Sequence, residues 1–192
     1  MDYHSLIKKM KSKGYGLMSE GQYLEISKFL DEQTPCNLLV FGLGMDSLLW
    51  EKINQSGKTV FLEDDDSWIC KFKNTDLRIY NVEYTTEAKD HKEINFNTTL
   101  LHMSLPKEVL ETKWDFIIVD GPLGHNPPRP YKGPGRMQSI YMAHLLLKKG
   151  GICVIDDMGR SIESRYANHF FGRENLMTPR LIENKIGVYK KK

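Results

Sequence analysis

At 192 residues the chain is long enough to bury one good core and too short for two comfortable domains, so a single structural unit is expected. Charged residues at 27% against 40% hydrophobic ones are the balance of an ordinary globular protein and exclude a chain that stays disordered. A formal net charge of +2 speaks against nucleic-acid partners, and no apolar run approaches the ~20 residues of a membrane-spanning helix. Cys36, Cys70 and Cys153 are too far apart for a disulfide framework or a zinc site. With no signal-type apolar core at the N-terminus, the expected compartment is cytoplasmic.

In chain order, residues 3–13 and 21–30 read as two helices divided by the breaker Gly14-Tyr15-Gly16, the second opened by Ser19 and Gln22 at capping-box spacing. Residues 1–34 are expected to form a helical lid or buttress on an α/β unit spanning 35–192. After Pro35, short β-rich runs at 37–43, 58–63, 77–82, 115–120 and 151–156 alternate with helical stretches at 47–55, 67–72, 97–110, 137–148 and 162–171. That alternation predicts a Rossmann-like α/β fold, a mostly parallel sheet with crossover helices. The runs 176–182 and 186–190 are separated only by Glu183-Asn184-Lys185, a connection so short that the two must pair antiparallel. A parallel sheet closed by a C-terminal antiparallel hairpin is the arrangement of class I methyltransferases, whereas plain dinucleotide-binding domains finish on another parallel strand.

The first strand runs into Gly42-Leu43-Gly44-Met45-Asp46-Ser47 and then a helix, which puts two glycines where the backbone must turn tightly and approach a ligand. A third glycine is wanted where Ser47 stands, so the fingerprint is incomplete. The second strand ends in Glu63-Asp64-Asp65-Asp66. Glu63 lies near the ~20-residue offset at which an acid meets the ribose hydroxyls of an adenosine cofactor, while Asp65 and Asp66 suit the cap of the next helix. Asp120 ends the fourth strand and Asp156-Asp157 the fifth, at the carboxyl edge where open α/β sheets bind ligands, although Asp156 equally suits a helix cap. Residues 121–135 hold five of the eight prolines and four of the fifteen glycines, too long and stiff for a simple connector. They carry His125, Arg129, Tyr131 and Lys132, with Arg136 just beyond. A guanidinium there can grip an acceptor carboxylate or phosphate, and His125 is a candidate general base; a solvated charged loop is the plain alternative.

The stretches PCNLLVFGLGMDSLLW (35–50), TVFLED (59–64), WDFIIVDGP (114–122) and PGRM (134–137) resemble, in order and over nearly the whole chain, the plant polysaccharide methyltransferases that include glucuronoxylan 4-O-methyltransferase. The resemblance implies S-adenosylmethionine as donor and a sugar hydroxyl as acceptor, the 4-hydroxyl of a glucuronic acid unit first. In that scheme Gly42, Leu43, Gly44, Asp46, Ser47, Glu63, Asp64 and Asp120 hold the donor. Asp120, Asp157 or His125 takes the proton, and His125, Arg129, Tyr131 and Arg136 hold the acceptor, with Arg136 on the uronate carboxylate. Met45 stands where the family usually has histidine, the 121–135 segment differs, and the membrane anchor of the plant enzymes is not expected, which leaves the acceptor more open than the donor. No metal site is expected, since no histidine-rich ligand spacing occurs. The rivals are an NAD-binding oxidoreductase, opposed by the missing third glycine and the hairpin, an O-methyltransferase of another small acidic molecule, and a glycan-binding relative without activity.

Overall fold

Residues 2–123, 133–178 and 181–192 are described by the computed structural model. Six strands form one sheet: β1 (Asn37–Phe41), β2 (Lys58–Glu63), β3 (Ile79–Asn81), β4 (Trp114–Val119), β5 (Leu147–Ile155) and β6 (Gly187–Lys190), in the order β3-β2-β1-β4-β5-β6. The first five run parallel, and β6 pairs antiparallel with β5, Cys153 facing Tyr189 and Val154 facing Val188. Strands buried on both faces read as continuous apolar runs, which is why LLVF and FIIV carry no alternation. Leu38 and Val40 of β1 point to one face with Phe116, Ile118 and Val154. There they pack on Ile7, Ile26, Leu30 and Trp50, from α1 (Tyr3–Ser12), α2 (Glu20–Asp31) and α3 (Ser47–Ile53). Leu39 and Phe41 point to the other face with Ile117 and Val119, onto Ile140 and Tyr166 of α8 (Met137–Leu146) and α9 (Ser161–Phe171).

The remaining helices are short: α4 (Asp66–Phe72), α5 (His91–Ile94), α6 (Thr98–Leu101) and α7 (Lys107–Glu111). The single helix expected over 97–110 is therefore α6 and α7, divided by residues 102–105. Pro106, which has no N–H to donate, stands at the N-cap of α7. The α5 turn was not expected. The first strand stops at Phe41 because Gly42 turns at φ 110°. Helix α8 ends at Leu146 and runs straight into β5, which begins at Leu147 rather than near 151. At the C-terminus β6 is the second arm of the hairpin. The first arm meets it through isolated antiparallel bridges, Leu176 to Tyr189 and Ile182 to Ile186. The turn between them places Glu183 and Asn184 at φ 47° and 58°, the left-handed region that short hairpin turns use. The capping box is present: Ser19 Oγ accepts from the Gln22 N–H, and the Gln22 side chain accepts from the Ser19 N–H. Among the described residues no helix is long and apolar enough to cross a membrane.

The winding reverses between β1 and β4, so the connections that follow them leave toward opposite sides of the sheet and a crevice opens over their carboxyl ends. The opposite edge is closed by Asn54, buried behind α3. Its amide donates to the Cys36 carbonyl at 3.0 Å and to Thr59 Oγ1 at 3.2 Å, and its Oδ1 accepts from the Cys36 N–H at 3.1 Å. Replacing Asn54 with Ala strands these groups without water and is expected to cost on the order of 2 kcal/mol. A fall of about 4–8 °C in Tm, measured by calorimetry, checks it. Ligand binding at the far edge of the sheet stays unchanged.

Candidate functional site

A cavity of 1010 Å³ opens over the carboxyl ends of β1, β2, β4 and β5, a size that suits a cofactor together with a small acceptor. Its floor is the touching turns after β1 and β4. A Cβ on Gly42 would lie 2.9 Å from the Gly121 nitrogen, and one on Gly121 would lie 2.6 Å from the Gly42 Cα. With Gly42 at φ 110°, a side chain at either place would push the two strand ends apart. The turn after Gly42 is shaped by Glu63. Its Oε2 accepts from the Leu43 N–H at 2.7 Å, and its Oε1 accepts from the Asp64 and Asp65 N–H groups at 3.0 and 2.9 Å. Three of about four acceptor positions on the carboxylate are thus taken. Burial raises the Glu63 pKa against the lowering effect of these bonds. Ser47, standing where a third glycine was wanted, braces the same turn by accepting from the Gly44 N–H at 3.0 Å. Asp46 is buried behind it, where its Oδ2 accepts from the Tyr23 hydroxyl at 3.0 Å.

Across the cavity, Asp120, Asp156 and Asp157 bring carboxylate oxygens within 4.8 Å of one another, a spacing at which a cation can be shared. The Arg136 guanidinium sits among them, with Nη2 3.2 Å from Asp120 Oδ1 and 3.1 Å from Asp157 Oδ2, Nη1 4.0 Å from Asp156 Oδ2, and Nε donating to the Pro122 carbonyl at 3.2 Å. Asp157 also meets Arg160 Nη1 at 2.9 Å and Lys185 Nζ at 3.6 Å. It adopts φ 60°, a left-handed conformation that costs an aspartate roughly 1 kcal/mol and that ligand sites tolerate. Asp120 is the most open of the three, its side chain 33% exposed against 10% for Asp157. Burial, and then the charges of Asp156 and Asp46, hold its pKa well above the usual carboxylate range despite the opposing pull of Arg136.

The structure thus gathers Gly42, Leu43, Gly44, Asp46, Ser47, Glu63, Asp64, Asp120, Asp157 and Arg136 around one cavity. His125, Arg129 and Tyr131 lie outside the described residues. Two expectations change. Arg136 does not offer a free guanidinium to a substrate: its side chain is 6% exposed and is engaged by internal carboxylates. Asp156 caps no helix, because the N-cap of α9 is Arg160 and makes no side-chain cap bond. Asp156 lines the cavity instead, its buried Oδ1 without a hydrogen-bond partner among the described residues. Asp65 does cap α4, accepting from the Ser67 N–H at 2.8 Å. Reading the sequence missed Arg160, Lys185, Tyr23 and Trp68 as neighbours of this cavity and its lining.

A family model described as IRX15/IRX15L/GXM matches residues 23–99 and 91–181. Glucuronoxylan 4-O-methyltransferase 3 of Arabidopsis thaliana is 36% identical over 167 residues, covering 74% of this chain and 54% of that protein. Protein IRREGULAR XYLEM 15 of the same plant is 35% identical over 188 residues, covering 83% and 57%. The chain therefore spans little more than half the length of these relatives. Among solved structures, the T. thermophilus 16S rRNA N2 G1207 methyltransferase, determined with AdoMet and guanosine, superposes with a TM-score of 0.55 at 15% identity, over 92% of this chain and 44% of that one. At that identity the likeness shows the fold, which is that of class I methyltransferases.

Behind the cluster, Glu163 is fully buried and neither of its carboxylate oxygens has a hydrogen-bond partner among the described residues, the nearest cation being Arg160 Nη1 at 3.7 Å. Burial raises its pKa, and Arg136 and Arg160 pull against the rise. A carboxyl whose folded pKa lies above its unfolded one contributes stability that is present below the unfolded pKa and lost as pH rises through the folded value. Glu163→Gln removes that loss. The variant is expected to have the higher Tm at about pH 8, with the difference closing near the ordinary glutamate range at about pH 4; paired thermal melts across that interval check it.

Proposed function

The chain belongs to the IRX15/IRX15L/GXM family, and from that premise we propose that it is an S-adenosylmethionine-dependent O-methyltransferase of a glycan hydroxyl, the 4-hydroxyl of a glucuronic acid unit being the first acceptor to test. The observation that carries this reading is the charge and position of the cavity. It lies at the winding reversal of the sheet, and among the described residues it is walled by eight carboxylates (Asp46, Glu63, Asp64, Asp65, Asp66, Asp120, Asp156 and Asp157) against three cations, Arg136, Arg160 and Lys185. Such a wall favours a ligand that brings positive charge, and a sulfonium donor with its ammonium group does so.

The residues present fit that donor. The turn at Gly42 and Gly44 lets backbone approach it closely. Glu63 keeps one acceptor position and Asp64 stands beside it in the wall, an arrangement suited to a ribose diol. Once bound, the donor supplies an electrophilic methyl carbon, and the reaction is an in-line displacement by an oxygen. The protein's part is to align the acceptor hydroxyl and accept its proton. Asp120 is assigned the proton. It is the carboxylate of the cluster most open to the cavity, and its raised pKa matches it better to a proton acceptor working near neutrality than an ordinary aspartate. Arg136 fixes Asp120 rather than the acceptor, and Asp157 anchors the neighbouring cations. The Arabidopsis relatives named as glucuronoxylan methyltransferases support a polysaccharide or oligosaccharide acceptor.

Calorimetric titration with S-adenosylhomocysteine tests the donor, and incubation with labelled donor and uronic-acid-bearing oligosaccharides tests the transfer. Asp120→Asn is expected to lower kcat by about 100-fold or more while leaving affinity for S-adenosylhomocysteine within about threefold. No heat on adding S-adenosylhomocysteine to the native protein would sink the reading. Uptake without transfer to any hydroxyl would favour a glycan-binding relative.

A further inference from the structure

We propose that Arg160 and Lys185 form an anion subsite at one end of the cavity that takes the carboxylate of the acceptor. The proposal rests on the methyl-transfer reading for the hydroxyl's fate, and on the cavity's own geometry for the carboxylate. Arg136, expected to fill this role, is closed off by the protein's own acids. Among the described residues, the cations a ligand can reach are the other two that line the cavity, with side chains 28% and 43% exposed for Arg160 and Lys185 against 6% for Arg136.

They come from distant parts of the chain and are positioned by local ties. Arg160 ends the loop after β5, its N–H donating to the Asp157 carbonyl at 2.8 Å. Lys185 closes the C-terminal turn, and its carbonyl accepts from the Met158 N–H at 2.7 Å. On its other side the turn is tied to α2, where Ser19 Oγ donates to Glu183 Oε2 at 2.7 Å. A Cβ on Gly159 would stand 3.5 Å from the Asn184 carbonyl oxygen, so the loop and the turn lie against each other.

Asp157 holds both cations without saturating either. Arg160 Nη1 approaches Asp157 Oδ2, and Lys185 Nζ approaches Oδ1 at a distance beyond a hydrogen bond. Among the described residues, Arg160 Nε and Nη2 have no partner, and neither do the ammonium hydrogens of Lys185 beyond this ion pair. Two cations drawn to the two oxygens of one carboxylate suit a single ligand carboxylate, with the guanidinium fork giving direction and the lysine giving charge. The rest of the wall is acidic, so a carboxylate entering the cavity is repelled from the Glu63 to Asp66 end and drawn to this one. The same carboxylate cluster that holds Arg160 and Lys185 through Asp157 includes Asp120, so an acid anchored here keeps a hydroxyl of the same small molecule near the proposed proton acceptor.

The test is titration, by ligand-observed NMR, of the full chain with methyl α-D-glucuronoside and methyl α-D-glucoside, which differ in the carboxylate, alongside calorimetry with S-adenosylhomocysteine. The native protein is expected to prefer the glucuronoside. Lys185→Met and Arg160→Gln should each weaken it by about tenfold, the pair should erase the preference, and Arg160→Lys should keep most of it. Binding of the glucoside and of S-adenosylhomocysteine should move by less than about twofold. No preference in the native protein, or a preference that survives the double variant, overturns the subsite. Weakened S-adenosylhomocysteine binding in its place would give these cations to the donor's carboxylate and overturn it too. Lys185 lies on an exposed turn, so Lys185→Met decides the matter even if Arg160→Gln fails to fold. A native protein that prefers the glucuronoside but takes up no S-adenosylhomocysteine ends the methyl-transfer reading and leaves the subsite standing.

Discussion

One buried guanidinium holds the carboxyl edge of this sheet together. Two parallel strands deliver Asp120, Asp156 and Asp157 to one place, and three carboxylates within 4.8 Å of each other repel strongly once water is excluded. Arg136 makes the arrangement tenable. Its location runs against helix electrostatics, because it is the N-cap of α8, where the macrodipole favours an anion. A cation kept at a helix start against that preference is there for the acids. The residues after it continue the theme: Gln138 Oε1 accepts from the Thr85 N–H at 2.9 Å, and Ser139 Oγ donates to the Gly121 carbonyl at 2.9 Å. The first turn of an otherwise apolar helix therefore ties three separate loops, those carrying Asp120 and Gly121, Asp157, and Thr85, into a single wall.

The parts of this site that could be read from the sequence are those whose geometry follows from neighbours along the chain. A strand, a glycine turn and a helix in succession put Gly42 and Gly44 at a sheet edge whatever the rest does, and the next strand must then end beside them at Glu63. Strand-end aspartates follow from the same reasoning. What escaped were pairings set by tertiary contact. No spacing rule links residue 185 to residue 160, since they meet only because β6 returns antiparallel beside β5 and its turn docks on the loop after β5. Arg136 was placed correctly in sequence and wrongly in role, because its direction depends on two carboxylates that lie 16 and 21 positions away. The stretch 97–110 misled for a local reason. Its apolar residues suit a helix face, but Pro106 can only begin one, and short helices packed on the core fill the interval.

The incomplete glycine fingerprint also has a physical account. A glycine at position 47 would allow the helix to press closer to the strand, and Ser47 gives that up in exchange for a hydroxyl that accepts from Gly44. With Glu63 accepting from Leu43 on the other side of the turn, the loop is braced twice by side chains. It is therefore held open over the cavity before any ligand arrives, and such preorganisation lowers the ordering cost of binding.

The N-terminal helices belong to the same construction. Tyr23 is fully buried in α2, and burial and then the charge of Asp46 push its pKa up, so its hydroxyl stays a proton donor to Asp46 under all ordinary conditions. Gly16 passes so close to that hydroxyl that a Cβ would sit 2.2 Å from it, and the Lys11 ammonium donates to the carbonyls of Gly16 and Met18 at 3.0 and 2.9 Å. Residues 14–18 are thereby pinned as a cavity wall, with Leu17 fully exposed at the rim. Loss of α1 and α2 would remove that wall, deprive Asp46 of its hydroxyl donor, and release the Ser19 tie to the turn bearing Lys185. Both ends of the proposed site, the glycine turn and the cation pair, lean on the same twelve-residue helix.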